Sequence, residues 1–424
     1  MPQTASSLMS DAVYQSLVVA TRGRLRTIAE QDRALKAWVY LDDELLHEHH
    51  PGPLDSLEFG VKDVIDVAGM PTRCGSPATS DAIATSDAAC VGLLRAAGAL
   101  PIGKTATAEF AHVTPGPTRN PVHQAHTPGG SSSGSAAAVA AGMVPFALGT
   151  QTGGSMIRPA AYCGVVGFKP TFGLVPRNGM RVMCPSLDVI GWHSKDVRLA
   201  ARVADVLLPK GHMMVGSSKP LRIGFMAAHP GYTLEHSAIR TLENARADLE
   251  RVGHAVIPVR PPAHTERLLE AHGIITHYEL SRSLRELLQG SERLLSPALR
   301  EAIQKGASIP NEQYAEELKF REAVIGSWGD EFSDVDLVLT SSVLGPAPLG
   351  LDHTGQSGFN KAWSFLGWPC VHLPTSTDDC GLPMGVLLVA RPGLDQDLLS
   401  WAEMLHPAID RRPTSCMPVD RSQP

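Results

Sequence analysis

NPVHQAHTPGGSSSGSAAAVAAGMVPFALGTQTGGSMIRPA, residues 120–160, is the stretch from which the rest of the chain is read. Between Asn120 and Ile157 it has no Asp, Glu, Lys or Arg. A charge-free segment of this length is expected inside a core. It is nevertheless rich in hydroxyls, and a buried hydroxyl has to be hydrogen-bonded. Two Gly-Gly-Ser tracts, ending at Ser131 and Ser155, flank an apolar, alanine-rich segment at 136–148. Either serine alone reads as a helix cap. Two glycine-flanked serines folded into one core read as a catalytic arrangement.

Working outward, 132–141 is expected to be a helix and 146–148 a short strand, with a glycine-rich turn at 150–154. Ser155 opens the next helix, and free amides at such a turn suit a developing oxyanion. Upstream, LEFGVKDVIDV at 57–67 reads as strand, with Lys62 and Asp63 in apolar company. A lysine there either snorkels to the surface or is held inside for a purpose. Gly130-Ser131-Ser132-Ser133-Gly134 satisfies G-x-S-x-G around Ser132, but a polar loop precedes it where a nucleophile elbow needs a buried strand. Gly98-Ala-Leu-Pro-Ile-Gly103-Lys104-Thr105 matches a phosphate-binding loop letter for letter. Such a loop needs a strand before its first glycine and a helix at its lysine. Here a helix at 88–97 precedes, a strand at 99–102 follows, and the loop would spend its amides on strand pairing. Nucleotide binding through 98–105 is the alternative from a different class.

Elsewhere a helix is expected over 8–47, followed by a solvated loop with His47, His49 and His50. Helices follow at 196–208, 359–366 and 394–405, and strands at 221–226, 335–342 and 384–390. Residues 228–330 read as a mostly helical flank that announces no chemistry, with breaks near Gly290 and Pro310. The Pro/Gly-rich segment 345–358 reads as a loop beside a pocket, and 411–424 as a frayed tail. The whole, 1–424 with an ordered core over about 8–410, is read as a single domain.

Composition narrows the class. The chain has 424 residues, 43% hydrophobic but only 5% aromatic, so its core should be rich in Ala, Val and Leu. The net charge of −6 and the lack of a basic run argue against nucleic acid as the main partner. Seven cysteines, an odd number without CxxC spacing, suit reduced thiols in a cytoplasmic protein. No basic n-region precedes the first apolar run, and Gly142 and Pro145 interrupt the alanine-rich segment. Neither a signal peptide nor a membrane helix is expected.

GGSSSGSAAAVAAG (129–142) and GTQTGGSMIRPAAYCGVVGFKPT (149–171), with GVKD (60–63) upstream, closely resemble the amidase signature family. LLRAAGALPIGKT (93–105) and GWPC…GLPMGV (367–386) extend the resemblance over roughly 10–410. Within the family, the run TQTGGSxIRPAAYCG and the short chain look like the malonamidase-type amidases. The resemblance implies an α/β/α fold around a mixed sheet of about eleven strands. It implies Ser155 as nucleophile, Ser131 as bridging serine after a cis Gly130–Ser131 peptide, and Lys62 as terminal base. No metal or cofactor is implied; a homodimer is, by analogy.

The implied chemistry is coherent from below. A serine needs a base, Lys62 serves only when uncharged, and burial favours the uncharged amine. A hydroxyl both donates and accepts, so Ser131 can pass a proton. The amides of Thr152, Gly153, Gly154 and Ser155 are placed to receive the oxyanion, with Gly130, Ser132, Ser133 and Thr150 in support. One departure stands out: many relatives have Asp where this chain has Gln151, and Arg two residues after the nucleophile. Here Arg158 follows Ser155 by three, on the same helical face. Gln151 and Arg158 are therefore substrate-binding candidates, and a bidentate Arg suits a small amide bearing a carboxylate. The other reading of Arg158 is a structural ion pair. The other setting for the same chemistry is the amidase subunit of a tRNA-dependent amidotransferase.

Overall fold

The computed structural model describes residues 11–42, 51–209, 220–285 and 290–412. The expected histidine cluster at 47, 49 and 50 and the tail from 413 lie outside these residues. Eleven strands form one mixed sheet. In chain order they are β1 (Trp38–Leu41), β2 (Glu58–Lys62), β3 (Leu100–Thr105), β4 (Phe146–Gln151), β5 (Val166–Lys169) and β6 (Val189–Ser194). They continue as β7 (Arg222–Met226), β8 (Ala255–Pro258), β9 (Leu337–Ser341), β10 (Cys370–Thr377) and β11 (Pro383–Val389). Their spatial order is β1-β3-β2-β4-β6-β5-β10-β11-β9-β7-β8. β2 runs parallel to both β3 and β4, and β7 to both β8 and β9, while the middle of the sheet is antiparallel.

Both faces of the sheet are covered. Along β4, Phe146 and Leu148 enter one apolar cluster with Phe59, Val61 and Trp192. Ala147 points the other way, into a second cluster with Ile102, Ala136–Val139 and Leu25 of the first helix. This alternation is the period-2 geometry of a strand. On the second face the small residues of the helix Ser133–Ala140 let it approach the sheet closely. A side chain at Gly134 would collide with the backbone of Ala37 and Ala106. No helix among the described residues is long and apolar enough to cross a membrane.

Three expectations are corrected. The first helix is Asp11–Leu35, not 8–47. The Asp32 carboxylate accepts the amides of Ala37 (2.6 Å) and Trp38 (3.3 Å), Lys36 turns to positive φ, and the chain continues as β1 against β3. The segment 57–67 is strand only as far as Lys62; a tight turn follows, with Val64 and Ile65 both donating to Lys62 O. The helical flank contains β8, an edge strand beside β7.

Candidate active site

β2 and β4 lie side by side in parallel, with Val61 opposite Leu148. Lys62 therefore closes β2 at the carboxyl end of the strands, near the end of β4, where α/β sheets commonly bind ligands. Its side chain is wholly buried. Lys62 Nζ donates to Ser131 Oγ at 2.8 Å and to Thr150 Oγ1 at 2.7 Å. Burial pushes its pKa down to about 7, against an opposing pull from the Asp188 carboxylate. The Gly130–Ser131 peptide is cis. Ser132 Oγ donates to Thr150 O and accepts Thr150 N, each at 3.1 Å, so this buried hydroxyl is scaffolding for β4. Ser133 Oγ donates to Thr118 Oγ1 at 3.4 Å.

After Gln151 the chain turns so that four successive carbonyls face the protein. Thr152 O accepts from His272 Nε2 (2.9 Å), Gly153 O from Ser364 Oγ (2.9 Å), Gly154 O from Arg158 N (2.9 Å) and Ser155 O from Ser132 N (3.3 Å). The amides of residues 152–155 have no acceptor among the described residues. Thr152, Gly153, Gly154 and Ser155 instead line a cavity of about 1000 Å³, together with Arg158, His272 and Lys361. Thr152 is fixed further by its hydroxyl, which donates to Asp188 Oδ1 at 2.5 Å. Asp188 Oδ2 in turn accepts the amides of Met183 and Cys184. Tied-back carbonyls beside unpaired amides are what a preorganised anion site requires.

The two substrate-binding candidates fare differently. Gln151 does not line the cavity. Its Oε1 accepts the amides of Met156 (2.8 Å) and Ile157 (3.1 Å), and its Nε2 donates to Ser364 Oγ (3.0 Å), which spends the carboxamide on holding the turn. Arg158 does line the cavity, yet no carboxylate meets it among the described residues. Its Nε and Nη2 donate to Gly130 O, at 3.0 and 2.6 Å, and its Nη1 to Gly355 O at 2.6 Å. The structural ion pair is thus replaced by backbone bonds, and burial pulls this arginine's pKa down to about 10.

The loop 353–358 forms one wall of the cavity, as its composition suggested. His272, Ser364, Asp188 and Lys361 were not singled out in the sequence; they come from distant segments and carry no spacing that links them to the serines. The phosphate-loop lookalike is strand: Lys104 is wholly buried in β3, 3.3 Å from Asp63, and donates to Pro71 O and Thr72 Oγ1. Nucleotide binding there is thereby corrected, since the lysine is paired and the backbone is in the sheet.

A family model described as Amidase matches residues 27–399. The chain belongs to the amidase family. Among curated relatives, a glutamyl-tRNA(Gln) amidotransferase subunit from Akkermansia muciniphila is 30% identical, with 87% of this chain and 91% of that protein covered. Among solved structures, an inhibitor-bound complex described as revealing the evolutionary origins of an s-triazine catabolic enzyme superposes with a TM-score of 0.83. It is 27% identical and covers 93% of this chain and 96% of that one. The native peptide amidase of Stenotrophomonas maltophilia superposes with a TM-score of 0.80 at 26% identity, covering 97% and 99%. The family assignment agrees with the resemblance drawn from the serine motifs. The narrower malonamidase-type likeness is not what these relatives carry in their names.

Proposed function

We propose that this amidase-family chain cleaves a carboxamide through Ser155, Ser131 and Lys62. The supporting observation is the wholly buried Lys62, 2.8 Å from Ser131 and with its pKa near 7, behind a turn of unpaired amides. Uncharged Lys62 takes the proton of Ser131 as Ser131 takes that of Ser155, and Ser155 Oγ adds to the amide carbon. The amides of 152–155 hold the oxyanion. On collapse the C–N bond breaks, and the proton returns through Ser131 to the departing nitrogen. Water, deprotonated by the same relay, then frees the acyl group from Ser155. Ser155→Ala is expected to cut kcat by roughly 10⁴-fold or more, and Lys62→Ala by a comparable factor, with the far-ultraviolet circular dichroism unchanged. Substantial ammonia release by either folded variant overturns the assignment.

Two settings are open to that chemistry. The sequence relatives favour the amidase component of a tRNA-dependent amidotransferase, because the likeness runs over nine-tenths of the Akkermansia protein. In that setting the chain works with protein partners. The buried, carboxylate-free Arg158 favours a substrate that is itself anionic, as a malonamidase-type amidase would take. Ammonia release by the purified chain alone from simple amides, against release only when the other components and tRNA are added, separates the two.

A further inference from the structure

One lysine in the cavity takes no part in the relay. Lys361 stands at the start of the helix Asn360–Leu366 and is half-buried. Its stem lies against the turn that follows β4: a Cβ built on Gly153 would sit 3.5 Å from Lys361 Cγ. Among the described residues its ammonium has no hydrogen bond and no ion pair. The charge that bears on it is Arg158, another cation, and burial together with Arg158 holds its pKa below the ordinary lysine value. The acidic lining residues, Glu301 and Asp352, are exposed.

Two cations withdrawn from water without a counter-charge are costly to keep. Arg158 has already committed three of its five N–H groups to the carbonyls of Gly130 and Gly355. Lys361 keeps all three of its own for whatever enters. It also flanks the turn where the carbonyl oxygen of a substrate would be held, and it lines the same cavity as Ser155.

The geometry points to Lys361 as the anion anchor of the site: the amide taken here ends its acyl chain in a carboxylate, which Lys361 Nζ binds with Arg158 behind it. This rests on the amidase reading of Ser155. It assigns the substrate class to a residue outside the serine motifs, and makes Lys361 a determinant of specificity.

The test compares the unmodified chain with Lys361→Met and Lys361→Arg. Ammonia release is measured from succinamate and from butyramide, the neutral amide of the same four-carbon chain length, and succinate binding is measured by calorimetry. Lys361→Met is expected to lower the succinamate-to-butyramide ratio of kcat/KM by about tenfold or more, chiefly through KM. Succinate binding should weaken by a similar factor, and Lys361→Arg should recover most of both. A ratio and a succinate affinity within about twofold of the unmodified chain overturn the inference, as does a loss shared equally by butyramide. If the unmodified chain releases ammonia from neither amide, the free-standing setting falls, and the succinate titration alone then decides the role of Lys361.

Discussion

At the scale of single residues, the proposed proton relay depends on one side chain being uncharged. Lys62 is held near pKa 7 by burial, and only its free amine can accept the proton of Ser131. The sign follows: kcat/KM should rise with pH and level off above an apparent pKa near 7, while acid should switch the relay off. A profile flat from about pH 5.5 to 9 would remove Lys62 from the role of base. Ser131 and Ser155 stand out in the sequence because they end two Gly-Gly-Ser tracts in a long charge-free run, and the contact of Lys62 with Ser131 is what the motif resemblance implies. Lys361 and His272 do not stand out, since each is an ordinary helical residue until a distant turn is folded against it. Gln151 was misjudged for a physical reason: its position next to the nucleophile motif says nothing about which way a carboxamide points. Here it points into the scaffold.

Among the elements, the helix Ser133–Ala140 matters most, because it carries the chain directly away from Ser131. It reaches the sheet with no side chain at Gly134, whose amide donates to Ala106 O at 3.0 Å. Gly134→Val forces that contact apart, and a loss of about 1–3 kcal/mol in stability is expected from such overpacking. Scanning calorimetry should register a lower Tm, with activity falling in parallel; an unchanged Tm would mean the helix has slack. Helices and strands were unevenly readable. The amphipathic helices could be placed from their spacing, and in Val197–Leu207 the Asp196 side chain caps the start by accepting the Leu199 amide. The strands β5, β6 and β10 passed unread because they are buried on both faces and show no alternation. Their existence was implied by family resemblance, not by pattern.

On the scale of the molecule, the core buries imidazoles as well as apolar side chains. His193, His272 and His372 are held neutral, burial pulling their pKa values down to about 4, 4 and 3. Unfolding frees them to protonate at the ordinary value of about 6.5. Between about 6.5 and 4 these rings bind more protons in the unfolded chain, so their contribution to stability falls as the pH is lowered, while Asp32, with its carboxyl raised to about 6 by burial, acts the other way. Urea midpoints measured from pH 7.5 down to 4.5 should drop less steeply in His193→Gln than in the unmodified chain; an equal slope would mean that this ring is not buried neutral. The same scale explains what the sequence hid about the cavity. One wall is built from 111–115 and 296–305 and another from 353–358, segments whose meeting depends on the whole sheet being in place.

Arg158 links that last wall to the peptide in front of Ser131, with one guanidinium bonded to Gly130 O and Gly355 O. The consequence is evolutionary. Changes in 353–358 that would reshape what the pocket admits also pull on the peptide before Ser131, so in the proposed mechanism selectivity and turnover are not free to drift separately there. On the proposed reading, adaptation to new amides has its open ground on the opposite side, in 111–115 and 297–305, which make no hydrogen bond to Ser131 or Ser155 among the described residues.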